Sequence, residues 1–205
     1  MGSSAFWDNK FRPDGYTYGE APNAFLADHV RAFPVNGEML GLGEGEGRNA
    51  VFLAEQGFRM TAVDLSKRGL KKLEDLAAAR GVSVEAVEHD LGSFEFGRDR
   101  WDGIYNIYCH LPPELRAVLY ARIQGALRPG GVFLTEQFAK DQLRYDSGGP
   151  KDEQLLLDVV ELQQAFSGYE VVYAAWEPTI LDEGPLHRGL ASVTRFVVRK
   201  PRVGQ

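Results

Sequence analysis

Three glycines alternate with two glutamates in the stretch LGLGEGEGRN, Leu40 to Asn49. Gly43, Gly45 and Gly47 let the backbone approach a ligand closely. Glu44 and Glu46 stand where a phosphate cradle would want neutral or basic side chains. The dinucleotide pattern G-x-G-x-x-G needs a glycine at position 48, which is Arg48, and the P-loop Gly-Lys-Ser/Thr is absent. Asp64 follows Gly43 by 21 positions, the spacing of a carboxylate that bonds ribose hydroxyls. These residues suit a ligand with a ribose and no pyrophosphate. S-adenosyl-L-methionine has that character, and its sulfonium cation tolerates acidic neighbours.

Other residues could take part in chemistry around such a ligand. Cys109 and His110 follow an apolar stretch that reads as a strand, and His110 titrates near neutral pH. DEGPLHRG, Asp182 to Gly189, gathers Glu183, His187 and Arg188 beside turn residues. QLRYDSGGPKDE, Gln142 to Glu153, offers a lid with Arg144 as a cation over an anionic substrate. An arm from Phe6 to Phe25 holds six aromatics in 20 residues and must bury them against something. It reads as a partial lid, with Tyr16 or Tyr18 facing the ligand.

The elements that position these residues follow from periodicity. Met39–Leu42, FRMTAVD, VSVEAVEHD, WDGIYNIY and VFLTEQF read as five strands. Between them, Ala50, Leu53, Ala54 and Gly57 mark one helix face, and Leu70, Leu73 and Ala77 another behind Ser66 as N-cap. PPELRAVLYARIQGA reads as a helix opened by proline and stopped at Pro129-Gly130-Gly131, and Leu155, Val159, Leu162 and Phe166 mark one more. YEVVYAAW and LASVTRFVVRK then follow as strands about 14 residues apart, a separation that suits an antiparallel hairpin. APNAFLADHVRAF, ahead of the first strand, reads as a short helix. The alternation predicts an α/β fold with a doubly wound parallel sheet and helices on both faces.

The bulk numbers narrow the function classes. The 205 residues are 44% hydrophobic and 25% charged, as a globular protein is, with a formal charge of −6. Lys and Arg never run beyond a pair, which disfavours a nucleic-acid or anionic membrane partner. One cysteine excludes an intramolecular disulfide and a cysteine-rich zinc site, and no metal is expected. Without a signal-peptide pattern or an apolar run of roughly 20 residues, the chain is expected to be cytoplasmic.

LGLGEGEGRNAVFLAEQG, MTAVDLS, HDLGSFEF, WDGIYNIYCHLPP and LRPGG together resemble the class I S-adenosylmethionine-dependent methyltransferases. The chain is most similar to their small bacterial branch related to the tellurite-resistance and thiopurine methyltransferases. The resemblance implies one domain over residues 1–205, with an arm and helix (1–35) covering the cofactor site and a core sheet (36–205). That core would be a three-layer Rossmann-like seven-stranded sheet with its last strand antiparallel. The cofactor site would be drawn from Gly43, Glu44, Gly45, Arg48, Asn49, Asp64, Leu65, Asp90, Leu91 and Asn106. Within it, Gly43 and Gly45 flank the methionyl part, Asp64 takes the ribose, and Asp90 with Leu91 faces the adenine. The branch carries a Glu-Gly-x-x-His-x-Gly stretch, which Glu183–Gly189 matches, so His187 joins His110 as a candidate catalytic residue. Tyr16, Tyr18, Arg144 and Arg188 would serve substrate or lid.

The chain departs from the family at two positions. Gly41 stands where an acidic residue near the cofactor's amino group is common, and Glu44 where Cys or Ser is common; Glu44 is expected to take over the missing contact. The implied activity is methyl transfer from S-adenosyl-L-methionine to a small molecule with a sulfur, selenium or tellurium nucleophile. The rival readings are a non-catalytic protein that binds the same cofactor, a nicotinamide-dependent oxidoreductase, and a methyltransferase of protein or nucleic acid.

Overall fold

Short apolar runs bounded by turn residues become the strands of one sheet in the computed structural model, which describes residues 2–184 and 186–202. The strands are β1 (Glu38–Leu42), β2 (Arg59–Asp64), β3 (Val84–Glu88), β4 (Trp101–Ile107), β5 (Leu127–Phe138), β6 (Glu170–Asp182) and β7 (Arg188–Arg199). Their order across the sheet is β3-β2-β1-β4-β5-β7-β6. The first five are mutually parallel, and β7 runs antiparallel to both β5 and β6. The α/β sheet of seven strands with an antiparallel last strand is therefore as expected. Winding reverses between β1 and β4, and the carboxyl ends of those two strands border the crevice where such sheets bind ligands.

Both faces of the sheet are covered. Met39, Met60, Tyr105 and Val132 pack against α2 (Ala24–Asp28), α3 (Arg48–Glu55) and α4 (Lys67–Arg80). Leu40, Ile104, Phe133 and Phe196 pack against α5 (Pro113–Ala126) and α6 (Val159–Ala165). Among the described residues no helix is long and apolar enough to cross a membrane.

Four local features differ from the periodicity reading. The aromatic arm contains a helix, α1 (Ser4–Lys10), capped by Ser3, whose Oγ accepts the Phe6 N–H. Asp8 of α1 then accepts from Ser66 Oγ at 2.6 Å and from Arg68 N–H at 3.1 Å, which docks the arm on the N-terminus of α4. The expected turn at Pro129–Gly131 is an irregularity inside β5, because Leu127 already pairs with Trp101 before the register shifts to Gly103 and Val132. The helix expected from Leu155 is split: a 3-10 turn covers Glu153–Leu155, and Asp158 restarts the chain as N-cap of α6. Both final strands are longer than their apolar cores, so β6 and β7 nearly meet at the hairpin tip.

A buried polar network joins the arm, the sheet and the hairpin. Glu136, on β5 and wholly buried, lies directly opposite Arg195 of β7 and is ion-paired with it. Glu136 Oε1 also accepts from Asn23 Nδ2 at 2.6 Å and from the Tyr108 hydroxyl at 2.7 Å. Asn23 caps α2 through Leu26 N–H, and its own N–H donates to Asn49 Oδ1 of α3. Its second amide hydrogen reaches Glu183 Oε1 at 2.9 Å. Glu183 Oε2 in turn takes the Arg48 guanidinium at 2.7 Å, with both side chains nearly buried. Every amide position of Asn23 is engaged, and a network satisfied this fully holds one arrangement of its parts.

Glu136→Ala removes the buried acceptor shared by Arg195, Asn23 and Tyr108, leaving Arg195 only Glu177 as a charge partner and Asn23 only Glu183. It should cost about 3–5 kcal/mol, read from the denaturant midpoint. Glu136→Leu combined with Arg195→Met removes both members of the buried pair and should recover part of that loss.

Candidate functional site

The carboxyl ends of β1, β2 and β4 open on a cavity of about 550 Å³, inside the roughly 300–1,000 Å³ range of small-molecule sites. One wall is the glycine turn. Gly43, Gly45 and Gly47 all have positive φ, at 66°, 58° and 87°. A Cβ on Gly43 would strike Cys109 Sγ, and one on Gly45 would sit 2.9 Å from the Phe11 ring. These positions need glycine both for backbone conformation and for close packing against β4 and the arm.

The two acidic residues of the turn have structural partners within the protein. Glu44 Oε2 accepts the Ala50 N–H at 2.8 Å in the first turn of α3, whose N-cap Gly47 supplies no side-chain cap. Its Cγ lies 2.7 Å from where a Cβ on Gly41 would be, and the Tyr105 hydroxyl crowds the same spot. Glycine at position 41 is thus the room that Glu44 and Tyr105 occupy. Burial pushes the Glu44 carboxyl up to about 7. Glu46 faces the arm: Oε2 accepts the Thr17 N–H at 2.7 Å and Oε1 pairs with Lys72 at 2.8 Å. Lys72 also donates to the Pro13 and Gly15 carbonyls, which fastens the arm over the turn.

Asp64 ends β2 at the cavity. Its Oδ2 accepts from Gly45 N–H and its Oδ1 from Ser66 N–H, each at 2.8 Å. One bond per oxygen leaves lone pairs for a ligand hydroxyl. Burial raises the Asp64 carboxyl, against the pull of those N–H groups.

Beyond the turn the cavity becomes aromatic. The Tyr18, His187 and Tyr108 rings follow one another at centroid distances of 4.7 and 4.5 Å, and Phe138 meets Tyr108 at 4.7 Å and stacks on His110 at 5.6 Å. Burial pushes both His110 and His187 down to about 3, so both imidazoles are neutral at pH 7. Nδ1 of each is buried without a hydrogen-bond partner among the described residues. Tyr108, with φ at 53°, adopts a left-handed conformation that delivers Cys109 and His110 to the cavity. Burial pushes the Cys109 thiol up to about 12, which disfavours its thiolate.

Of the residues singled out in the sequence, Gly43, Glu44, Gly45, Arg48, Asn49, Asp64, Leu65, Leu91, His110, His187 and Tyr18 line this cavity. Arg48 and Asn49 do so while engaged with Glu183 and Asn23. Five others are not among its lining residues. Asp90 is exposed and its Oδ1 accepts the Gly92 N–H, closing a local turn. Asn106 is committed to Cys109 N–H and Gln137. Tyr16 donates to the Lys72 carbonyl and lies under its ammonium. Arg144 and Arg188 are exposed beside Asp141 and Asp182. The loop that carries Arg144 still contributes Gly148, Gly149 and Pro150. Lys10, Trp7, Phe11 and Phe138 line the cavity without a spacing signal in the sequence; aromatic density alone marked the arm.

Residues 39–131 match the family model of a methyltransferase domain. Among curated relatives, the 2-heptyl-1-hydroxyquinolin-4(1H)-one methyltransferase of Mycobacteroides abscessus is 28% identical over 119 residues, covering 57% of this chain and 52% of that protein. A probable thiol methyltransferase 2 of Arabidopsis thaliana is 31% identical over 124 residues, covering 58% and 52%. The chain thus spans about half the length of these relatives. A solved structure from work on the conversion of a disulfide bond into a thioacetal group during echinomycin biosynthesis shares the fold. Its TM-score is 0.76 at 17% identity, covering 98% of this chain and 94% of that one. The 1,6-didemethyltoxoflavin-N1-methyltransferase of Burkholderia thailandensis was solved with 1,6-didemethyltoxoflavin and S-adenosylhomocysteine bound. It is 25% identical, covers 87% of this chain and 76% of that one, and has a TM-score of 0.63. The part of this chain that is similar to a methyltransferase domain thus runs over residues 39–131, from the first strand into the fifth.

Proposed function

We propose that this protein is an S-adenosylmethionine-dependent methyltransferase acting on a small molecule whose nucleophile is sulfur, selenium or tellurium. We place it with the branch related to the tellurite-resistance and thiopurine methyltransferases. The observation that carries the reading is Asp64, anchored to Gly45 N–H at the cavity wall with acceptor capacity to spare. The thiol methyltransferase relative and the neighbour with bound S-adenosylhomocysteine support it.

The residues present fit the cofactor. The glycine turn leaves bare backbone toward the cavity, Asp64 suits ribose hydroxyls, and Leu65 and Leu91 give an apolar lining for a base. S-adenosylmethionine supplies a methyl group already activated on a sulfonium cation. The chain has to align a nucleophile in line with that methyl and keep water out. Tyr18, Tyr108 and Phe138 exclude water, and the unpartnered Nδ1 atoms of His110 and His187 orient the acceptor. Imidazoles held at about 3 are weak bases. They serve a nucleophile that arrives as an anion, as a thiolate does, better than a neutral alcohol.

Calorimetric titration should show S-adenosylmethionine binding at micromolar affinity. Asp64→Asn keeps an oxygen for Gly45 N–H and should weaken binding about 10- to 100-fold. Absence of binding to the unaltered protein would sink the proposal. Given binding, thiols, selenite and tellurite are the acceptors to screen, with S-adenosylhomocysteine release as the readout.

Glu44 adds a pH signature. The folded chain retains a proton that the unfolded chain loses between the ordinary value of 4.5 and about 7. Stability should therefore fall as pH rises through that window, and Glu44→Gln should flatten the dependence. A bound cation favours the carboxylate, so cofactor binding near pH 7 should release a proton, measurable by titration in buffers of different ionisation enthalpy. If Glu44→Gln binds as tightly and releases the same proton, Glu44 does not meet the cofactor's ammonium group.

A further inference from the structure

The charges lining the cavity do not balance against a cofactor that ends in an amino acid. Glu46 is matched by Lys72, and Arg48 by Glu183. That leaves Asp64 and Glu44 on the acidic side. A third carboxylate entering beside them needs a cation of its own, because an unpaired buried charge is strongly disfavoured. The cations among the described lining residues are Arg48, already neutralised, and Lys10.

Lys10 is the last residue of α1, and only its backbone is engaged: its carbonyl accepts from Thr17 Oγ1 at 3.4 Å. Its ammonium has no ion-pair or hydrogen-bond partner among the described residues. The next residue, Phe11, is buried with its ring tip 2.9 Å from where a Cβ on Gly45 would sit, and it also packs on Gly69. Lys10 is thereby held at the lip of the glycine turn, the wall that would carry the methionyl part. The Asp8 contacts to Ser66 and Arg68 set the height of α1 above that wall. The charge of Lys10 also reaches His187 across the cavity and helps keep that ring neutral.

We propose that Lys10 is the counter-ion of the cofactor's α-carboxylate, which makes the arm a working part of the cofactor site. The inference rests on the methyltransferase reading given above. It assigns the amino-acid end by charge: the carboxylate to Lys10 on the arm, the ammonium to the Glu44 side of the turn. The arm then closes over a bound cofactor because the cofactor itself bridges α1 and β1.

The test compares S-adenosylmethionine with decarboxylated S-adenosylmethionine, which keeps the sulfonium and the ammonium and lacks only the carboxylate. Both are titrated calorimetrically into the full chain and into Lys10→Gln. Loss of one charge-assisted contact should weaken S-adenosylmethionine about 10- to 100-fold in Lys10→Gln. The decarboxylated ligand should bind both proteins equally, and Lys10→Arg should restore most of the affinity. Equal weakening of both ligands would make Lys10 a structural prop of the arm and overturn the assignment. Unchanged binding of S-adenosylmethionine would also overturn it, leaving Lys10 to face an anionic acceptor. If the unaltered chain binds neither ligand, the methyltransferase reading fails together with the inference.

Discussion

The Glu136 carboxylate, removed from water in the middle of the sheet, is the constraint on which the site depends. A charge in that position persists only when its lone pairs are answered, and here the donors come from three distant parts of the chain. Asn23 brings the start of α2, Tyr108 brings the end of β4, and Arg195 brings the hairpin strand. The same interaction therefore sets the carboxyl edge of the sheet against the arm and against the segment carrying His187. The second carboxylate of the network, Glu183, extends the arrangement to Arg48 at the head of α3.

This framework explains how a turn rich in glycine and glutamate can line a cavity without leaving its carboxylates unpartnered. Each glutamate satisfies backbone or ammonium groups of the protein itself, one at the head of α3 and one beneath the arm. The cavity meets mainly the backbone of the turn. Its polar character at the end of β2 comes from Asp64, and its aromatic character from side chains on four segments remote in sequence.

The sheet was legible because its signals are local: apolar runs, turn residues and helical spacing. Asp64 was legible because its distance from the glycine turn is a geometric property of one strand-helix-strand unit. The short helix α1 was not, since seven residues form no stable helix by themselves and this one is held by Asp8 on a different element. The arginines at 144 and 188 sit in segments that do border the cavity, yet a loop's sequence does not disclose which way a side chain turns. Asn23 and Glu136 carry no periodic or motif signal, and the motif that marked Glu183 did not disclose its partners, because their pairing exists only in the assembled fold. The polar TEQ inside the apolar strand VFLTEQF was the one visible trace of it.

The partners of Asn23 lie 113 and 160 positions further along the chain. Contacts of that span close large loops and come late in folding, after local helices and neighbouring strands have formed. On the ribosome, Asn23 emerges long before Glu183 exists, so it must wait for its far partners while the central strands assemble. Tyr18, whose ring packs on His187, lacks that cover until the hairpin is made. The segment that completes the cavity is thus made early, and its contacts with the hairpin are the last it can make.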